Sequence, residues 1–258
     1  MATTGPLSAP SPSAYGVLGL LAVRSWTGYE LTQQVRRSLA FVWPTSEGHL
    51  YREQKGLVAR GWATVLDEPA GRRTRKRYAI TDAGRAALAD WLATAPGPPQ
   101  LHVEAVLRAF YADQGEVADL LASLRATAQD AADQLDQLGA FVDDYLADGG
   151  PLDQLEAGAG GGQERLEFRG RPMFPERLPA VALALDASTR LLEAVELFCL
   201  ETAAEVEGWA STDGAELAPD TRRRLKAVRA RLAARRYDVG SGAHPRDDEG
   251  RTLRVRPS

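Results

Sequence analysis

The sequence predicts a mainly α-helical protein with a small β-hairpin wing, and two observations lead to that fold class. In residues 14–95, helical patterns of apolar residues precede two short alternating segments joined by a basic turn, the order of a winged helix-turn-helix domain. In residues 100–210, two long stretches repeat apolar residues at the 4-3 spacing of packed helices. We therefore expect an N-terminal winged helix-turn-helix domain and a C-terminal domain of long helices.

The N-terminal domain begins with two helices. Residues Tyr15–Val23 are apolar on nearly every side, which predicts a buried helix. Thr27 and Glu30 have the spacing of a capping box, and we expect a second helix from there to about residue 43. Thr45 or Ser46 caps the third helix, which ends at Gly61.

The third helix has an apolar inward face and a polar outward face. Its inward positions are Leu50, Leu57 and Val58. Gln54 also falls on the inward face, where an apolar residue is expected. Gly56 lies in the helix interior, where glycine costs about 1 kcal/mol relative to alanine.

The wing follows the third helix. Residues 62–66 and 77–80 alternate as short strands, and residues 67–76 are expected to form the turn between them. Thr81 opens a fourth helix, and the Pro-Gly-Pro-Pro stretch at 96–99 predicts the domain boundary.

The second half is predicted to contain two long helices. One apolar seam runs from Val117 to Tyr145 and the other from Val181 to Trp209, and a Gly-rich loop over residues 149–176 interrupts them. Few other core residues are present, so the helix pair needs a partner. A second copy of the chain across a two-fold axis is the simplest one.

Charge is distributed unevenly along the chain. Residues 1–94 carry 12 Lys/Arg against 7 Asp/Glu, whereas residues 95–218 carry 7 against 23 and residues 219–258 carry 12 against 5. Because screening limits electrostatic contact with phosphate to about 8–10 Å, local charge matters more than the net charge of −4. The acidity of the whole chain therefore does not argue against DNA binding by its basic N-terminal part.

The basic C-terminal segment, residues 219–258, has two interpretations. We expect a helix over residues 222–236 and disorder in the Gly/Pro/Arg/Asp-rich remainder. The helix could add phosphate contacts or bind back to the acidic middle of the chain. The second interpretation is favoured, because the acidic segment of the same chain is at high effective concentration.

Composition excludes several classes of protein. No run of about 18 apolar residues is present, so we expect no membrane span. Residues 1–13 are uncharged and Pro/Ser-rich, which predicts a disordered leader rather than a signal peptide. Cys199 is the single cysteine, which excludes an internal disulfide, suits the cytoplasm and falls on an apolar seam.

Several short motifs resemble the PadR family of winged-helix transcriptional regulators. In chain order they are YGVLGLL at 15–21, GYEL at 28–31, LY at 50–51, YAITDAG at 78–84 and LRAFYADQG at 107–115. The sequence departs from the family at Gln54 and Gly56, and the Gly-rich loop and the basic C-terminal segment lie outside the resemblance. The resemblance implies a homodimer that binds an inverted-repeat operator on double-stranded DNA, and a repressor is the expected kind of regulator.

The third helix and the wing are the expected DNA-contacting elements. A helix fits the major groove, where Arg52 can contact a guanine bidentately, worth about 1–3 kcal/mol of discrimination. The amides that begin the second helix can bind a phosphate, and the wing can reach the minor groove. The expected DNA-binding residues are Tyr15, Gly28, Tyr29, Thr45, Ser46, His49, Tyr51, Arg52, Lys55, Arg72, Arg73, Arg75, Lys76 and Arg77.

The resemblance also implies release from the operator by a small aromatic or amphipathic effector near the dimer interface. The candidate effector-binding residues are Trp91, Phe110, Tyr111, Phe198 and Trp209. Core packing is the favoured interpretation for each of these aromatic side chains.

Two other classes of function are alternatives to a DNA-binding regulator. A winged-helix domain can bind protein partners without sequence-specific DNA binding, and this remains the alternative. Nothing local suggests an enzyme, a cofactor or a metal: the three histidines lie far apart, and the Gly-rich loop fits no phosphate-binding motif.

Overall fold

A computed structural model describes residues 9–38, 43, 45–70, 73–158, 167–169, 171–172, 174–214 and 216–240. Several sequence expectations fall outside them: most of the leader, the end of the second helix at residues 39–42, the wing residue Arg72, much of the Gly-rich loop, and the tail beyond residue 240. The side chain of the wing residue Arg73 lies outside them too. The described residues of Met1–His102 and Gln134–Leu192 form one compact unit, and those of Val103–Asp133 and Glu193–Ser258 form a second. The domain boundaries expected from the sequence stay a prediction.

Helix α1 (Pro12–Val23) begins earlier than the sequence suggested, because Ser11 caps it. The Ser11 hydroxyl accepts a hydrogen bond from the amide of Ala14 at 3.1 Å, and proline is well suited to a first helical turn. Residues 12 and 13 therefore belong to a helix and not to the expected leader. Its buried side chains confirm the expectation of a buried first helix.

The expected capping box starts the second helix. After β1 (Trp26–Thr27), the Thr27 amide donates to Glu30 Oε2 at 2.8 Å and the Glu30 amide donates to Thr27 Oγ1 at 3.2 Å, which starts α2 (Gly28–Ser38). Burial alone raises the pKa of the Glu30 carboxyl, but the Thr27 hydrogen bonds and the positive charges of Arg77 and Arg24 outweigh it, so that pKa lies below its usual value.

Helix α3 (Glu47–Ala59) is capped by Ser46, whose hydroxyl accepts from the amide of His49 at 3.3 Å. The helix ends at Arg60, and Gly61 then takes a positive φ of 71°, a conformation that glycine adopts without strain. Both ends of the helix therefore lie where the sequence predicted them.

The wing is a longer hairpin than the sequence indicated. Strands β2 (Ala63–Ala70) and β3 (Arg73–Ile80) pair antiparallel along their whole length, and β1 pairs with β3, so the strand order is β1-β3-β2. Most of the expected turn over residues 67–76 is thus strand. Opposite charges across the ladder at Asp67–Lys76 and Glu68–Arg75 favour this extension.

The first core lies where α1, α2, α3 and the sheet meet. Its fully buried side chains include Leu18, Leu21, Trp26, Leu31 and Leu57. Helix α4 (Asp82–Ala93), capped by Thr81, approaches the start of the wing so closely that a Cβ at Gly84 would collide with the carbonyl oxygen of Trp62. This packing confirms the mainly helical winged helix-turn-helix fold.

The remaining elements are mostly helical. They are α5 (Glu104–Phe110), α6 (Val117–Leu146), α7 (Pro151–Glu156), β4 (Glu167–Phe168), β5 (Arg171–Pro172), α8 (Leu178–Val206) and α9 (Ala218–Gly240). The expected Gly-rich loop over residues 149–176 therefore contains a short helix and a small two-stranded sheet. Just after β5, the ring of Phe174 packs against the first core, with its centroid 6.0 Å from that of Trp26.

Part of each predicted seam is buried in the long helices. The buried seam residues are Leu124, Ala128, Ala131 and Leu138 in α6, and Ser188, Cys199, Thr202 and Val206 in α8. In the second compact unit, α6 and α8 share a core to which α5 contributes Ala105. Within the residues that the structure describes, none of the helices has the length and apolar character needed to cross a membrane.

Glu30→Ala removes a capping partner of α2 and an ion-pair partner of Arg77. We expect the free energy of unfolding at pH 7 to fall by about 1 kcal/mol, measured by urea titration. The folded pKa of Glu30 is depressed, so its contribution is present above the unfolded pKa and disappears as pH falls through the folded pKa. The difference between variant and wild type should therefore shrink in acid.

The matched control is Glu104→Ala, which breaks an exposed ion pair with Arg108 on α5. Its effect should stay below about 0.5 kcal/mol at every pH, because exposed pairs contribute little. A Glu30→Ala difference that is the same at pH 3 and pH 7 would contradict the capping account.

Candidate nucleic-acid interface

The outward face of α3 carries the exposed polar side chains that the sequence assigned to it. Arg52 and Lys55 are exposed, and Tyr51 is exposed beside them. The hydroxyl of Ser46 is occupied by capping, and that of Thr45 donates to the carbonyl oxygen of Trp43 at 3.3 Å. Arg52 and Lys55 are therefore the α3 side chains best placed to meet a ligand.

A hydrogen-bonded group on α3 includes two residues that sequence reasoning missed. Glu53 Oε1 lies 2.9 Å from His49 Nε2 and accepts a hydrogen bond from the Ser11 hydroxyl at 2.7 Å. On its other side, His49 Nδ1 lies 3.4 Å from Arg52 Nη2. The four-residue spacing of His49 and Glu53 is a sequence signal that could have revealed one of these contacts.

The start of α2 lies directly against α3. A Cβ at Gly28 would lie 3.3 Å from Gln54 Oε1, 3.6 Å from Tyr78 Cε2 and 3.7 Å from Tyr51 Cε1. A larger residue at position 28 would therefore crowd α3. The neighbouring Tyr29 is exposed, as a phosphate-contacting side chain would be.

The cations of the wing divide into two groups. Arg75 and Lys76 are exposed, whereas Arg77 is half-buried and held by the protein itself. Its guanidinium contacts Glu68 at 2.8 Å, Glu30 at 3.6 Å and the carbonyl oxygen of Ser25 at 3.3 Å. Arg77 therefore ties the wing to the start of α2, and Arg75 and Lys76 are left to face solvent.

Tyr15 has a packing role in the structure. Its ring stacks on that of Trp91, with centroids 4.7 Å apart and planes 6° apart, and it also lies near Trp62. This stacking joins α1 to α4. Tyr15, which was expected to bind DNA, and Trp91, which was expected to bind an effector, are thus in contact with each other.

The five expected effector residues are divided between the two compact units. Trp91 belongs to the first compact unit, and the other four belong to the second. Phe110 and Tyr111 are exposed and meet edge to face at 5.1 Å, whereas Phe198 and Trp209 pack against the second core. A cavity of about 380 Å³ between α5 and the start of α6 is lined by Leu107, Arg108, Tyr111, Glu116 and Leu120, among others.

Gln54 is buried in the first core, as the sequence pattern placed it. Its side chain is 1% exposed, and neither its Oε1 nor its Nε2 has a hydrogen-bond partner among the described residues. Nearby, burial and the adjacent Tyr51 raise the pKa of Tyr78, which keeps that hydroxyl neutral. Gln54 is therefore an energetic cost within the packing of α3.

The potential metal-ligating side chains and the cysteine were the remaining candidates for chemistry in the part of the chain that the structure describes. There, no group of three or more His, Cys, Asp or Glu residues is placed to hold a metal ion. Cys199 is buried on α8, and burial raises the pKa of its thiol. It behaves as a core residue.

Comparison with known families identifies the first domain. The model of the transcriptional regulator PadR-like family matches residues 17–90. A probable transcriptional regulator of Mycobacterium tuberculosis, Rv1176c, is 30% identical over 165 residues, which cover 57% of this chain and 86% of that protein.

A second relative is the negative transcriptional regulator PadR of Bacillus subtilis, 31% identical over 99 residues that cover 38% of this chain and 54% of that protein. Its crystal structure with operator DNA has a TM-score of 0.54 at 19% identity and covers 76% of this chain and 99% of that one. Its structure with p-coumaric acid has a TM-score of 0.50 at 20% identity and covers 75% of this chain and 98% of that one. These structural likenesses support the same fold.

Gln54→Leu should stabilise the protein, because it replaces two unpartnered buried polar atoms with an apolar side chain of similar size. We expect the free energy of unfolding to rise by about 1–3 kcal/mol in urea titrations. Gln137→Leu at an exposed position of α6 is the control and should change it by less than about 0.5 kcal/mol. Destabilisation by Gln54→Leu would show that the amide is satisfied in the folded protein.

Proposed function

This chain belongs to the PadR-like family of transcriptional regulators, and from that premise we propose that it represses transcription by binding an inverted-repeat operator as a homodimer. One observation supports this most directly. The exposed cations of α3, Arg52 and Lys55, belong to the same small domain as the exposed wing cations Arg75 and Lys76. The domain is basic although the chain as a whole is acidic.

In this proposal α3 enters the major groove and Arg52 reads base edges. Arg52 is the α3 side chain that can form two parallel hydrogen bonds with a guanine. Lys55, Tyr51 and the exposed Tyr29 would contact phosphates and fix the register of the helix without reading sequence. The wing cations Arg75 and Lys76 would add phosphate or minor-groove contacts.

The homodimer is supported by apolar surface on the long helices. Four leucines of α8 are exposed by half or more of their surface: Leu183, Leu191, Leu197 and Leu200. Exposed apolar patches of this kind mark protein interfaces, and a second copy placed across a two-fold axis would cover them. Two copies would also present two reading helices to the two halves of an operator.

Effector control is proposed from the relative that binds p-coumaric acid. A small aromatic acid suits exposed aromatic side chains, and Phe110 and Tyr111 form such a pair in this chain. Phe198 and Trp209 lie in the same compact unit but contribute to its core. Release of operator DNA by p-coumarate in the binding assay below tests this part of the proposal, and operator affinity unaffected by the acid would remove it.

Arg52→Ala should weaken operator binding by about 1–3 kcal/mol and reduce the preference for the operator over random DNA. Arg75→Ala should weaken binding to both duplexes and lower the slope of log affinity against log salt by about 1. Fluorescence anisotropy with the promoter of the protein's own gene, at several salt concentrations, measures both effects.

Arg190→Ala is the control for this assay, because Arg190 is exposed on α8 and pairs only with Asp186 among the described residues. It should leave both affinities unchanged. Equal binding of wild type to operator and random DNA, or no binding at low salt, would favour a winged-helix protein-interaction module instead.

The dimer is tested by placing two charges on α8. Wild type should have twice the mass of one chain in light scattering at micromolar concentration. The double variant Leu197→Glu, Leu200→Glu should shift toward the mass of one chain, because carboxylates are costly to bury in an apolar interface. Leu66→Glu on the wing, also at an exposed leucine, should leave the mass unchanged. A wild-type monomer would reject the dimer.

A further inference from the structure

We propose that Glu53 and Ser11 are positioning residues for sequence reading, acting through His49 on Arg52. The inference rests on the proposed function, since it assigns a role in reading an operator base. Neither residue needs to touch DNA. Their effect is to hold the guanidinium of Arg52 ready for contact.

The anchor of this arrangement is the carboxylate of Glu53. Its side chain is only 16% exposed, although it lies on the same helix as the exposed Arg52. A single oxygen, Oε1, lies 2.7 Å from the Ser11 hydroxyl and 2.9 Å from His49 Nε2. Hydrogen bonds to an ionised acceptor are stronger than neutral ones, so two donors on one oxygen hold both partners firmly.

This contact decides which nitrogen of His49 carries the proton in the neutral ring. A hydrogen on Nε2 is donated to Glu53, so Nδ1 keeps its lone pair and is an acceptor. Nδ1 lies 3.4 Å from Arg52 Nη2, which can only donate. The carboxylate therefore sets the tautomer, and the tautomer provides Arg52 with a partner.

Holding Arg52 in this way favours discrimination between bases. A free arginine side chain loses about 2 kcal/mol of rotamer entropy when it is fixed. A side chain already restrained by His49 loses less on binding. Of the five N–H donors of a guanidinium, one is used by His49, and the others remain for the two acceptors of a guanine.

Ser11 extends the arrangement to α1. Its hydroxyl accepts from the Ala14 amide at 3.1 Å as the cap of α1, and it donates its own hydrogen to Glu53. The start of α1 and the middle of α3 are thereby connected through one oxygen atom. This connection gives Glu53 a fixed position that a contact within α3 alone would not provide.

The negative charge of Glu53 lets the experiment distinguish a positioning role from simple repulsion of phosphate. If the carboxylate had no positioning role, its removal would tighten binding to every duplex, because it repels phosphate. A positioning role predicts a different result, namely loss of operator preference without loss of binding to random DNA. Glu47 is the matched control, since it also lies on α3 and pairs with Arg36 rather than with His49.

The experiment compares Glu53→Ala, Glu53→Gln, Ser11→Gly and Glu47→Ala by anisotropy with operator and random duplexes. Glu53→Ala should lower the ratio of operator affinity to random-DNA affinity by about 5- to 10-fold. This is smaller than the effect of losing the bidentate contact of Arg52 altogether. Glu53→Gln should recover part of the ratio, because its Oε1 still accepts. Ser11→Gly, chosen because glycine is tolerated at a helix cap, should give a smaller loss, and Glu47→Ala none.

Two further readouts separate positioning from a general loss of structure. Combined with Arg52→Ala, Glu53→Ala should cause no additional loss of the ratio, because both act through one side chain. Nitrogen NMR of the His49 ring in free protein should show the Nε2-protonated tautomer in wild type and a mixture in Glu53→Ala.

The possible failures are distinguishable. Equal wild-type affinity for operator and random DNA would overturn the proposed function and this inference with it. A wild-type preference that Glu53→Ala leaves unchanged, or an additive loss in the double variant, would overturn the inference alone.

Discussion

The packing of α3 against α1 and the sheet is the constraint on which the DNA-binding half depends. Leu50 and Leu57 are almost fully buried in the first core, and burying each leucine contributes about 1.5–3 kcal/mol. Because a helix is rigid, burying these two side chains also fixes which residues face away from the core. Arg52 and Lys55 are exposed for that reason. The orientation of the outward face of α3 is thus a consequence of apolar packing.

Two neighbouring polar residues of α3 differ in whether their side chains find hydrogen-bond partners. Gln54 occupies the core without hydrogen-bond partners among the described residues, beside the close approach of α2 at Gly28. One position earlier, Glu53 is fully engaged with α1 and with His49. The wing is held similarly, since Arg77 joins it to Glu30 in the capping box of α2. Hydrogen bonds therefore link α3 to the start of α1, and an ion pair links the wing to α2.

The basic helix α9 forms an ion pair with α8 in the second unit. Arg224 donates to Glu205 of α8 at 2.5 Å, which agrees with the interpretation that this segment binds back to the chain. Its apolar residues Leu225 and Leu232 remain exposed, so they do not account for the attachment. Charge complementarity is the contact that the structure shows, and the exposed leucines of α8 remain available to a second copy.

By itself, the sequence determined the fold class, the caps of α2 and α4, the basic character of the first domain and the spacing of the two long seams, because periodicity, capping and composition are encoded within a few neighbouring residues. The tertiary structure alone decided the length of the wing, the helix within the Gly-rich loop, the commitment of Arg77 to protein partners and the contact of Ser11 with Glu53. The contacts of Arg77 and Ser11 join residues far apart in the chain, such as positions 11 and 53, which come together only when distant elements pack. No local pattern specifies which distant donor will meet a given carboxylate.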